Sequence, residues 1–114
     1  TMNKAGIPVY NYMVAYKMPF FGGQVMCHTS DLALWFGSME GAAYQYRGDE
    51  TNAQRVSNHM MDALAAFAAS GDPSGKLLKW APYTTDAHNT MVFDVKSGCK
   101  VDFDRAVYEA MMNQ

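Results

Sequence analysis

Apolar side chains recur with a different period in successive stretches of this chain, and the period predicts the element. In PVYNYMVAYKM, residues 8–18, Tyr10, Tyr12, Val14 and Tyr16 fall on one side of an alternating pattern, with Val9, Met13 and Ala15 on the other. Aromatic and β-branched residues on both sides predict a strand covered on both faces, the kind that sits inside a parallel sheet. PFFGG, residues 19–23, ends it, because proline removes a ladder donor and paired glycines permit a tight turn. Beyond that break Leu32, Leu34, Trp35 and Phe36 give a short helix its apolar side, with Thr29 or Ser30 as cap, Asp31 in the first turn and Gly37 as the stop. Residues 41–50 carry no clear period and read as a connecting loop.

The longest regular pattern follows. Thr51 and Gln54 have capping-box spacing, and Ala53, Val56, Met60, Leu64 and Phe67 recur at three- and four-residue steps down to Ser70, with Gly71 and Pro73 just beyond. This predicts one long amphipathic helix. TMVFDV at 90–95 and CKVDF at 99–103 flank Lys96, Ser97 and Gly98, the spacing of a short hairpin. Residues 104–113 open on an acid and carry apolar side chains at 107, 110 and 111, which predicts a terminal helix. The fold class is therefore α/β: one buried strand of parallel type, two to three helices and a hairpin at the end.

That inventory is physically incomplete. A strand apolar on both faces needs parallel neighbours and helical layers above and below it, and the other predicted strands are engaged in a hairpin. The expectation is that residues 1–114 form a single partial domain of a larger α/β unit, or that the chain self-associates. Either would cover the edge of strand 9–17, by pairing with a missing upstream part or with a second copy.

Composition narrows the functional classes. Eleven acidic residues against nine basic ones give a formal charge of -2, so no basic face is available for a nucleic acid. No apolar run reaches the roughly 20 residues that span a bilayer, so no membrane partner is expected. Cys27 and Cys99 are far apart and show no CxxC spacing, which argues against a disulfide scaffold or a zinc knuckle. His28 with Asp31 and Cys27 falls short of a metal site, because His59 and His88 lie on a helix and a distant loop. Neither a metal nor another cofactor is expected. The ten methionines include Met60, Met61 and Met111 on apolar stripes, where packing explains them.

The candidate for chemistry is His28, in VMCHTSDLALWFG at 25–37, between the strand and the short helix. By itself a histidine at such a junction is a capping or packing residue. Three stretches in order change that reading: VYNYMVAY, then CHTSDLALWFG, then AFAASGDPSGKLLKWAPYTTDAHNTMVFD. Together they span nearly the whole chain, and it resembles the C-terminal segment of the type B carboxylesterases, α/β-hydrolases related to cholinesterases and to bacterial para-nitrobenzyl esterases. The resemblance implies that His28 is the histidine of a hydrolytic triad and that a small-molecule ester is the substrate of the intact enzyme. Asp31 stands where the family usually has glutamate, Thr29 where glycine or alanine is common, and Cys27 at a variable apolar position. Asp31 reads as a helix-start residue rather than as the acid partner, because three residues along a turning loop point its carboxylate away from the imidazole.

The same resemblance makes an absence informative. In α/β-hydrolases the triad runs serine, acid, histidine along the chain, and these 114 residues contain no GxSxG elbow. Ser30, Ser38, Ser57, Ser70, Ser74 and Ser97 all lack that context. The expected function is thus the C-terminal part of a serine carboxylesterase, carrying His28 without the nucleophile and inactive alone. The alternative is a freestanding association or binding module on an esterase-like scaffold. Trp35 and Phe36 have two readings as well, ordinary core in this chain or the lining of an acyl or alcohol pocket in an intact enzyme.

Overall fold

The computed structural model describes residues 5–113 and folds them around a three-stranded mixed sheet with helices between and after its strands. Strand β1 is Asn11–Val14, helix α1 Leu32–Trp35, α2 Ala43–Tyr46, α3 Glu50–Ser70, β2 Asn89–Phe93, β3 Gly98–Val101 and α4 Arg105–Met112. Two 3-10 turns, Phe20–Gly22 and Met39–Ala42, precede α1 and α2. The sheet order is β1-β2-β3. β2 runs parallel to β1, with Asn11 opposite Thr90 and Val14 opposite Phe93, and antiparallel to β3, with Met91 opposite Cys99.

β2 occupies the centre because Thr90, Met91, Val92 and Phe93 are all buried, so both its faces are covered. Its one buried hydroxyl is satisfied from the neighbouring strand, where the Asn11 side-chain amide donates to Thr90 Oγ1 at 3.1 Å. Helix α3 lays Ala53, Val56, Ser57, Met60 and Ala63 into the core, where they join Tyr16, Met18, Leu34, Tyr46, Trp80, Met91 and Phe93. At its end Gly71 takes φ +77° and donates to the Phe67 carbonyl, the left-handed stop predicted for that glycine. The loop beyond is tied back to the helix. Asp62 accepts the Leu77 N–H at 2.8 Å, Asp72 accepts the Ser74 N–H at 2.8 Å, and the Ser74 hydroxyl oxygen accepts the Trp80 N–H at 3.1 Å. Gly75 fits against Asp62 only because it has no Cβ, which would overlap the carboxylate.

Several expectations change. The first strand is shorter than residues 8–18, and it has a parallel neighbour within the chain, since β2 pairs with β1 as well as with β3. A hairpin strand buried on both faces has two edges to satisfy, and the long helix α3 supplies the crossover that brings it alongside β1. β1 itself is not covered on both faces: Tyr12 is 44% exposed and Met13 48%. It lies at the edge of the sheet, and among the described residues no strand pairs with its outer side. The 41–50 loop contains the end of a 3-10 turn and α2, with Tyr46 buried. The Thr51–Gln54 capping box does not form, because the helix is capped two residues earlier, with Asp49 as its N-cap. Asp49 instead accepts the Tyr16 hydroxyl at 3.0 Å and the Asn52 amide at 2.6 Å. Met111 is 71% exposed and packs in no core.

Candidate functional site

The route from β1 to His28 is fixed in stages. After Val14 the chain makes its 3-10 turn, clasped at the base by paired backbone bonds between Met18 and Gln24 at 2.9 and 2.8 Å. It then reaches a reverse turn of Cys27, His28, Thr29 and Ser30. Ser30 closes this turn with both its backbone and its side chain. Its N–H donates to the Cys27 carbonyl at 3.1 Å, its hydroxyl donates to the same oxygen at 2.7 Å, and the Cys27 N–H donates to Ser30 Oγ at 2.8 Å. Thr29 holds φ +65° at the third position of the turn, a conformation that favours glycine. The Tyr46 hydroxyl donates to the Ser30 carbonyl at 3.3 Å. Burial, reinforced by Asp31 and Tyr44, pushes that phenol up to about 12, so it stays a donor near neutral pH.

Helix α1 secures the other end. The buried Ser57 hydroxyl donates to the Leu34 carbonyl at 2.8 Å, and Gly37, at φ +64°, brings the chain so close to α3 that a Cβ would lie 2.6 Å from Met61 Sδ. The expected cap does not form at Thr29 or Ser30: the N-cap is Asp31, and the Ser30 oxygen is committed to Cys27. Asp31 Oδ2 accepts the Trp35 indole N–H at 3.2 Å, so its carboxylate serves its own helix, one turn on.

His28 itself is exposed, and among the described residues its ring makes no hydrogen bond or ion pair. An imidazole presented in this way can take a proton from an approaching hydroxyl and return it to a leaving group. The other two histidines are engaged elsewhere. His59 Nδ1 lies 3.0 Å from Ser97 Oγ, whose own proton goes to the Asp94 carbonyl, so the ring nitrogen is the donor. His88 is buried against Tyr83 and Tyr108. Among the described residues no three His, Cys, Asp or Glu side chains gather as a metal site, and Cys27 and Cys99 are free.

Beside α1 lies an apolar groove of about 340 Å³, lined by Tyr12, Leu32, Trp35, Phe36, Phe67 and Trp80 among others. Trp35 is half-buried, but Phe36 is 69% exposed, so the core reading fails for Phe36 and it forms a wall of the groove. Pattern reasoning missed the brace around His28. Ser30 looked like a cap, and Tyr46 sat in a stretch without a period because the backbone there changes from 3-10 to α geometry. The usable signal was Thr29 itself, standing where a turn wants glycine.

A family model described as the carboxylesterase family matches residues 1–111. Among solved structures, the carboxylesterase EST55 of Geobacillus stearothermophilus at pH 6.8 is 28% identical, with a TM-score of 0.80 over 94% of this chain and 22% of its own. An esterase from the anaerobe Clostridium hathewayi, which can hydrolyse aliphatic aromatic polyesters, is 27% identical, with a TM-score of 0.81 over 93% of this chain and 21% of its own. A thermophilic PNB esterase is alike in fold at 19% identity, with a TM-score of 0.80 over 90% of this chain and 22% of its own. The chain therefore spans about a fifth of the length of the structures it matches. A search of curated protein sequences gives no significant match.

Proposed function

Given that the chain belongs to the carboxylesterase family, we propose that it supplies the triad histidine of a serine esterase, with His28 as the proton-transfer residue. The observation that carries this reading is the state of His28: an exposed imidazole without a described partner, on a turn braced from both sides, beyond the end of a strand in a parallel pair. As general base His28 takes the proton of a serine hydroxyl while that oxygen attacks the ester carbonyl. As general acid it returns the proton to the departing alkoxide, and a water then repeats the cycle on the acyl-enzyme. The serine, the carboxylate that orients the ring and the oxyanion donors come from polypeptide outside these 114 residues, in keeping with the triad order and the absent GxSxG. Asp31 is assigned the helix-start role instead, which its Oδ2 supports by accepting the Trp35 indole N–H one turn on.

The preceding polypeptide docks on the outer edge of β1 and in the adjoining groove, making residues 1–114 one part of a larger domain. Two observations support this. Among the described residues, β1 leaves Tyr12 and Met13 exposed at a sheet edge that no strand pairs, and the buried Trp80 indole Nε1, beside the groove, has no acceptor. The substrate is a carboxylic ester, and no cofactor takes part.

The test is short-chain ester hydrolysis by the polypeptide read through from the upstream coding sequence. His28→Ala is expected to lower kcat/KM by about a thousandfold or more with the fold intact by circular dichroism. Residues 1–114 alone are expected to give no turnover above background. A genuine start at Met2 and a stable natural product of 12.7 kDa would instead support the freestanding association module.

A further inference from the structure

Around His28 most backbone bonds are short in range. The Cys27 carbonyl accepts the Ser30 N–H at 3.1 Å, the Thr29 carbonyl accepts the Leu32 N–H at 3.2 Å, and the Asp31 carbonyl accepts the Leu34 and Trp35 N–H groups, both at 3.0 Å. The Ser30 carbonyl, between the turn and α1, is tied to a residue much further along. It accepts the Tyr46 hydroxyl at 3.3 Å in a buried setting.

Tyr46 is placed to hold that carbonyl still. It is 1% exposed and belongs to the core cluster, with its ring centroid 6.4 Å from that of Tyr16. Its own carbonyl accepts the Asp49 N–H at 2.9 Å, and the Asp49 carboxylate accepts the Tyr16 hydroxyl at 3.0 Å. A line of bonds therefore runs from Tyr16 through the N-cap of α3 and Tyr46 to Ser30, close to His28 in the same turn. The imidazole itself is exposed, so packing does not wedge it, and the backbone beneath it sets the direction in which it meets a reacting group. Taking away the Tyr46 hydroxyl would leave the Ser30 carbonyl without that donor and free the turn to shift.

We infer that Tyr46 is a positioning residue for His28: by holding the Ser30 carbonyl it fixes the turn that aims the imidazole. This rests on the proton-transfer role proposed for His28 and adds the group that keeps the transfer in line.

Such a role has a chemical signature. As the acyl-enzyme forms, His28 hands its proton to the departing oxygen. A p-nitrophenolate leaves readily without that proton, whereas an alkoxide does not. A misaimed imidazole therefore penalises alkyl esters more than p-nitrophenyl esters, while a loss of folded enzyme lowers both rates by one factor.

The test is kcat/KM for ethyl butyrate and for p-nitrophenyl butyrate, measured on the polypeptide read through from the upstream coding sequence and on its Tyr46→Phe and Thr90→Val variants. Tyr46→Phe keeps the ring and removes the donor. Thr90→Val removes a different buried hydroxyl, one that bonds to Asn11 of β1. Tyr46→Phe is expected to cost roughly tenfold on the ethyl ester and roughly twofold on the p-nitrophenyl ester, and Thr90→Val to leave the ratio of the two rates unchanged. A loss on the p-nitrophenyl ester as large as that on the ethyl ester, no loss on either, or the same change of ratio in Thr90→Val overturns the inference and leaves the role of His28 standing. Full activity in His28→Ala overturns that role and this inference with it. Should Tyr46→Phe fail to fold, Tyr46→Met, which fills core space flexibly and has no donor, decides by the same criterion.

Discussion

Thr29 is the most strained residue on the path to the candidate base. A β-branched side chain at φ +65° carries a cost that glycine escapes, while glycine brings a smaller entropic penalty of its own. Thr29→Gly is therefore expected to stabilise the protein by about 1 kcal/mol, read as a rise in the midpoint of urea unfolding. A drop in midpoint would show that the threonine side chain contributes more than its backbone costs. His59 gives the residue scale its pH dependence. Burial first, and the Arg55 charge second, hold its pKa below the ordinary 6.5, against a weaker opposing effect of Asp62. The folded state thus favours the neutral ring. Its contribution is complete above the unfolded value near 6.5 and is lost as pH falls through the lowered folded value. Denaturant titrations at pH 7.5 and pH 5 should show a smaller acid-induced loss in His59→Gln than in the parent protein. Equal losses in the two would rule this contribution out.

At the scale of elements, the close approach of Gly75 to Asp62 couples the loop after α3 to the helix that precedes it. Gly75→Ala must push the Asp62 carboxylate aside and loosen its bond to the Leu77 N–H, at a cost of about 2 kcal/mol. Thermal unfolding would measure this, and an unchanged midpoint would mean that the loop yields freely. The elements that could be read directly from sequence are those whose signal is local. The α3 stripe, the Gly71 stop, the terminal helix and the hairpin each follow from period and punctuation within a few residues. What pattern could not supply was pairing at a distance: that Met91 and Phe93 lie beside Tyr12 and Val14 depends on a crossover of more than seventy residues, which no window contains. The site divides in the same way. His28 stood out through its neighbours in a matched motif, but the brace on its turn comes from Tyr46, in a stretch without a period, and through α1 from Ser57 on the long helix.

At the scale of the whole molecule, the outer edge of β1, with the exposed Tyr12 and Met13, adjoins the groove walled by Leu32, Phe36 and Phe67. Residues 1–114 expressed alone are expected to self-associate through this side, because an unpaired edge strand with apolar neighbours is a template for pairing. Met13→Lys, a charge of the kind natural edge strands carry, should shift the light-scattering mass toward the monomer while leaving the circular dichroism unchanged. A parent chain that is already monomeric at high concentration would refute the expectation. The turn that carries His28 lies outside these groove walls, and its bonds are all made within the chain. On the proposed reading, the turn that carries the base is set by its own segment, while the carboxylate that orients the ring arrives with the rest of the polypeptide. The labour of the site is then divided along the gene: one stretch encodes the base and the turn that holds it, another the nucleophile and the group that aims the base.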